Sequence, residues 1–97
     1  MPAYVIAEVE VTDPAIFQQY AVKVPETLVP FNGRFLVRGG QAQAFEGEAP
    51  KRIVVIVFDS EEKARGWYGS PAYDAIKPLR QRSAKTRVLI AQGVPAE

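Results

Sequence analysis

The chain has 97 residues, 12 of them basic and 11 acidic, for a formal net charge of +1, and it contains neither cysteine nor histidine. Hydrophobic residues at 47% and charged residues at 24% are those of an ordinary globular domain, which excludes intrinsic disorder, a disulfide framework and thiolate chemistry. Near-neutral charge also makes nucleic acid a poor default partner, because that binding rests on a basic surface.

The length fits one domain over residues 1–97, with no stretch long enough to separate two cores. A chain of this size buries about 60 to 65% of the surface its unfolded form exposes, so pairing with a second copy would add needed burial. The longest apolar run, Ile53 to Phe58, is six residues, far short of the roughly 18 needed to cross a bilayer. With no signal-peptide pattern at the N-terminus, the expectation is a cytoplasmic protein without a membrane partner.

Tyr4 to Val11 alternates, placing Val5, Ala7, Val9 and Val11 on one face and Tyr4, Ile6, Glu8 and Glu10 on the other, which predicts a first strand. Asp13-Pro14 is a helix start: the carboxylate accepts from free backbone amides, and proline gives up a bond that would not form there. Ile16, Phe17, Tyr20, Ala21, Val24 and Leu28 recur at helical spacing and predict a helix to about Phe31. Pro25 lacks the donor that a helix interior needs, so a kink or restart is expected near Val24, with Asn32-Gly33 closing the segment. Arg34 to Gly40 predicts a second strand with Phe35 and Val37 on one face and Leu36 and Arg38 on the other. Its Gly-Gly end suggests a bend or bulge, and Gln41 to Ala44 is expected to resume pairing before a connection through Glu46 to Pro50.

Arg52 to Phe58 is β-branched almost throughout and is the clearest strand. Asp59 is expected to open a second helix, with Glu62 at capping-box distance. Ala64, Trp67 and Tyr68 mark its inner side, Gly69-Ser70-Pro71 interrupts it, and Tyr73, Ile76, Leu79 and Arg80 carry the periodicity toward Ala84. Thr86 to Gln92 predicts a last strand, followed by a tail from Gly93 to Glu97. The order βαββαβ is the split βαβ pattern of an α+β, ferredoxin-like fold: a four-stranded antiparallel sheet with two helices on one face.

The third strand is apolar on both faces, with Ile53, Val55 and Val57 opposed to Val54, Ile56 and Phe58. Helices on one side would leave the other face wet. Burying its side chains is worth about 1.5 to 3 kcal/mol each, so an isologous homodimer through the sheet face is predicted.

The runs Phe35-Leu36-Val37-Arg38-Gly39-Gly40, Glu46-Gly47 and Trp67-Tyr68-Gly69-Ser70-Pro71-Ala72-Tyr73 carry a resemblance. In these motifs, and over nearly its whole length, the chain resembles the domain-of-unknown-function family 1330 of the dimeric α+β barrel superfamily. The resemblance implies a ferredoxin-like protomer whose sheet packs on a second copy to close a barrel, and it implies no established activity. Members of the family often carry a glutamate where this chain has Val57, so that carboxylate is not available here as a base. The superfamily includes monooxygenases, isomerases and haem proteins, a kinship of fold alone.

Without histidine the chain lacks the commonest general base, the usual haem ligand and most zinc sites, so no metal and no cofactor are expected. Ser60 and Lys63 have a serine-x-x-lysine spacing, but at a helix start the serine reads as a cap. The basic residues Lys77, Arg80, Arg82, Lys85 and Arg87 read as a solvated face. Arg38 interrupts an apolar strand and can present its planar fork either to an internal carboxylate, Glu8, Glu10 or Glu46, or to a ligand anion. Arg52 and Arg80 raise the same question from weaker positions. Trp67, Tyr68 and Tyr73 form an aromatic set that serves either as core or as the wall of a small-molecule site. The candidate ligand-binding residues are therefore Arg38, Glu46, Trp67, Tyr68, Tyr73 and Arg80. They leave two readings open: a cofactor-independent enzyme or binder for a small anionic or enolic metabolite, with Glu46 or Tyr68 moving a proton, or a non-catalytic dimerisation module with no interior pocket.

Overall fold

The structure, a computed structural model, describes residues 1–95; Ala96 and Glu97 of the expected tail lie outside the described residues. In chain order the elements are β1 (Ala3–Val11), α1 (Pro14–Ala21), α2 (Val24–Leu28), a 3-10 turn (Val29–Phe31), β2 (Arg34–Gly40), β3 (Arg52–Phe58), α3 (Glu61–Tyr68), α4 (Pro71–Ser83) and β4 (Ala84–Gln92). The sheet is antiparallel with strand order β2-β3-β1-β4, the arrangement expected for a ferredoxin-like fold.

Each expected helix is two helices in the structure. Asp13 caps α1, accepting from the Ile16 amide at 3.2 Å. That helix stops at Ala21, and the chain restarts at Val24 with Pro25 in the first turn of α2, where the missing N–H costs no bond. Asn32, in the left-handed region at φ 54°, ends the segment, and the Gly33 amide returns to the Leu28 carbonyl at 3.2 Å. The side chain that caps α3 is Ser60, not Asp59: its hydroxyl accepts from the Lys63 amide at 3.2 Å. The serine hydroxyl stands three residues before that amide, whereas Asp59 turns aside to accept from the Asn32 amide group at 2.8 Å. That bond, then Lys63 and Arg34, hold the Asp59 carboxyl below the usual aspartate range. Ser70 both donates to the Trp67 carbonyl at 2.7 Å and accepts from the Tyr73 amide at 3.3 Å, joining the end of α3 to the start of α4.

All four helices lie against the sheet face that carries Ala3, Val5, Ile56 and Phe58, and Tyr20, Val24, Leu28, Trp67, Tyr73 and Ile76 complete the core there. The opposite face presents Tyr4, Ile6, Ile53, Val55 and Val57, with no helix of the described residues over it. Val57 belongs to that open face, paired with Tyr4 and Arg34.

Strand β2 departs from simple alternation. Phe35 pairs with Ile56, Val37 with Val55 and Arg38 with Val54, with a register shift between Phe35 and Val37. The extra residue of this bulge turns Arg38 onto the helix face beside Phe35 and sends Val37 to the open face, so the expected grouping of Arg38 with Leu36 does not hold. A second shift separates Arg38 from Gly40, where Gly39 takes φ 74°. Pairing then ends: Gln41 to Ala44 forms no strand, and the chain reaches β3 through an irregular connection.

Candidate functional site

A cavity of about 350 Å³ lies between the sheet and the layer formed by α1 and α4. One row of side chains crosses its floor: Arg38 on β2, Val54 on β3, Ala7 on β1 and Val88 on β4, each paired with the next. With strands about 4.8 Å apart, the row runs roughly 14 Å from edge to edge. Ala7 makes the hollow. A residue at the centre of a covered sheet face would be expected to be fully buried, yet Ala7 is only partly so, because its methyl group leaves space under the helices. Phe17, Tyr20, Phe35, Trp67 and Tyr73 supply aromatic walls.

The charge in this space has one sign. Arg38, Arg52 and Arg80 all line the cavity, and no carboxylate among the described residues does. The Arg38 guanidinium rests 4.6 Å from the centroid of the Phe35 ring, a contact made possible by the bulge. Arg80 is buried, at 6% exposure, whereas Arg38 and Arg52 are exposed. It donates to the Thr86 hydroxyl and, at 3.4 Å, to the Tyr68 hydroxyl, while its Nε–H is buried without a partner. None of the ion pairs among the described residues involves Arg38, Arg52 or Arg80; Glu8, one of the expected partners of Arg38, pairs with Arg87 at 3.4 Å. Burying a guanidinium without a counter-charge is costly.

Beside Arg80, the Tyr20 and Tyr73 hydroxyls meet at 2.7 Å. Burial first, and then the neighbouring Tyr73, push the Tyr20 phenol far above its ordinary range, with the Arg80 charge pulling the other way. Tyr20 therefore keeps its proton at any physiological pH, and either hydroxyl of the pair can be the donor.

The structure brings four of the six candidate residues, Arg38, Trp67, Tyr73 and Arg80, onto one cavity. Trp67 and Tyr73 are core residues and cavity wall at once, their ring centroids 4.2 Å apart. Tyr68 stands behind the wall: its ring lies 5.4 Å from that of Tyr73 and its hydroxyl accepts from Arg80, but it faces a separate groove beside Leu89 and Ile90. Glu46 is exposed on the β2–β3 connection and is not among the lining residues. The basic residues near the C-terminal end of the chain do not form one solvated face, since Arg80 is buried and Lys77 covers the Tyr68 ring at 4.3 Å.

Tyr20 is the cavity residue that sequence reading assigned to packing alone. Its signal was present: a tyrosine on the apolar stripe of a helix must find a partner for its hydroxyl inside the core. Arg80 carried a similar signal, since it follows Tyr73 and Ile76 on the buried stripe of α4.

Fold and cavity together define a ferredoxin-like α+β protein with a ligand-sized chamber between helices and sheet. The chain belongs to the family described as Domain of unknown function (DUF1330), whose family model matches residues 2–94. Among curated proteins none matches the sequence. Among solved structures, the RPA0582 protein of unknown function from Rhodopseudomonas palustris is similar at TM-score 0.78 and 14% identity, over 98% of this chain and 84% of that one. A dimeric ferredoxin-like protein of unknown function from Jannaschia is similar at 0.70 and 14%, over 96% and 100%. SnoaB, a cofactor-independent oxygenase from Streptomyces nogalater, is similar at 0.69 and 11%, over 98% and 95%. At these identities the likeness concerns the fold.

Proposed function

We propose that the cavity holds a small anionic or enolic metabolite and that the protein works on it as a binder or as an enzyme without a cofactor. The observation that carries this reading is Arg80, buried against the cavity with an unpaired Nε–H and, among the described residues, no carboxylate to neutralise it. An anion entering beside it supplies both the missing acceptor and the missing charge, with Arg38 as a second anchor at the β2 side. Cofactor-independent chemistry is compatible with this scaffold, as the likeness to SnoaB illustrates, and the aromatic walls suit a flat organic body. A dimerisation module without an interior pocket fits less well, given a cavity of about 350 Å³.

The reading includes a homodimer through the open sheet face, supported by the apolar row of Tyr4, Ile6, Val55 and Val57 and by the dimeric state described for the Jannaschia protein. It also takes the protein to be cytoplasmic. A thermal-shift screen of small carboxylates and enols tests the site. Ligands that stabilise the native protein are expected to lose affinity with Arg38→Ala and with Arg80→Met. If every ligand found binds Arg38→Ala as well as the native chain, Arg38 is not an anchor. Sedimentation at low micromolar concentration tests the dimer, and a stable monomer refutes it.

A further inference from the structure

Hydrogen-bond donors exceed acceptors around the cavity. The Tyr20 and Tyr73 hydroxyls share one bond, which uses one of their two O–H protons and leaves the other without an acceptor among the described residues. The Arg80 Nε–H is a second donor left over. Trp67 offers nothing further, since its indole N–H is committed to Thr27 at 2.9 Å. Apart from the two tyrosine hydroxyls, Gln18, an exposed residue, is the lining side chain among the described residues able to accept.

Tyr20, Tyr73 and Arg80, the residues that carry the leftover donors, line one cavity. Tyr73 and Arg80 lie two turns apart on the buried stripe of α4, and a long side chain on a helix leans back toward the N-terminus, which carries the guanidinium toward the tyrosine. Arg80 reaches the hydroxyl of Tyr68, whose ring packs on that of Tyr73. The charged side chains that line the cavity are the exposed Arg38 from β2 and Arg52 from β3 and the buried Arg80 from α4, while Lys77, over the Tyr68 and Tyr73 rings, is paired with the exposed Asp74 at 3.5 Å.

We infer that the Tyr20–Tyr73 hydroxyl pair and the Arg80 Nε–H form a donor set for a single ligand oxygen, the ionised hydroxyl of a phenol or enol carried on a flat conjugated body. This rests on the anion-binding reading and adds to it the class of ligand and the two hydroxyls that select it. An acceptor-only oxygen satisfies both leftover donors and balances the guanidinium, while the aromatic walls stack on the ring. The consequence is that the cavity favours the anionic over the neutral form, so a bound phenol ionises at a lower pH than the free one. High-pH ionisation of Tyr20 keeps the pair a donor throughout that range.

The test uses the full chain and two probes. Binding of 4-nitrophenol is followed by the absorbance that distinguishes phenolate from phenol, and binding of benzoate by calorimetry. On the native protein the bound phenol is expected to titrate about one unit or more below its free value, a tenfold preference for the anion. The double variant Tyr20→Phe with Tyr73→Phe keeps the rings and orphans no partner; it is expected to abolish that shift. A shift that survives the double variant overturns the role of the pair. Benzoate binding with an unshifted nitrophenol overturns the phenol or enol class and leaves the anion site standing. If neither probe binds, the anion-binding reading fails as well.

Discussion

The indole N–H of Trp67 donates to the hydroxyl of Thr27 at 2.9 Å, and that hydroxyl donates to the Val24 carbonyl at 2.7 Å. The first bond ties α3 to α2 and the second fixes the Thr27 hydroxyl within α2, while the Trp67 ring packs against both Phe58 and Tyr73. The cavity wall is therefore positioned by a buried polar link 40 residues long in sequence.

Thr27→Val keeps the shape of the side chain but removes the acceptor, leaving a buried indole donor unsatisfied. The expected loss is about 1 to 3 kcal/mol. It is read as a lower denaturation midpoint with an unchanged slope, followed by the fluorescence of Trp67, the only tryptophan. A midpoint equal to that of the native chain would show that the link contributes nothing.

Arg80→Met tests whether the cavity sacrifices stability for binding. Methionine fills similar space without a charge and releases the cost of an unsatisfied buried donor, about 1 to 3 kcal/mol. Without ligand the variant is expected to be at least as stable as the native protein while losing the anionic ligands. A fall in stability of the same size would mean that the bonds to Thr86 and Tyr68 make Arg80 a structural residue.

Tyr20 sets the alkaline limit of the fold. Its phenol is raised in the native state, so folding favours the protonated form. The contribution is fully present below the unfolded tyrosine range, near pH 10, and is lost progressively as pH climbs from there toward the native value. Native stability should fall with rising pH above about 10, and Tyr20→Phe should make that fall shallower. At neutral pH the same substitution costs about 0.5 to 1.5 kcal/mol for the bond to Tyr73. Denaturant titrations across this pH range check both, and parallel alkaline limbs would contradict the assignment.

Val55 lies on the open sheet face, between Ile6 of β1 and Val37 of β2. Val55→Lys places an ammonium where the proposed dimer needs a dry surface, and burying it unpaired costs several kcal/mol. Light scattering should show the variant as a monomer at about 100-fold or more above the native dissociation constant, with an unchanged circular dichroism spectrum. A variant that stays dimeric places the interface elsewhere.

Element types and their order were readable from the chain itself, because they depend on local signals. Alternation marked the strands, the stripe from Phe17 to Leu28 marked a helix, and Pro25 and the Gly69-Ser70-Pro71 run marked the breaks. The two-faced apolar strand β3 likewise announced an uncovered sheet face. The contents of the cavity depended on contacts that no local pattern encodes. One inserted residue in β2 reversed the side on which Arg38 projects, since strand alternation predicts a face only while the register is unbroken. Tyr20 and Tyr73 stand 53 residues apart and meet only because α1 packs on α4. Arg80 could be placed on a buried stripe from its spacing, but that no carboxylate waits opposite it was decided when the sheet and helices closed around it.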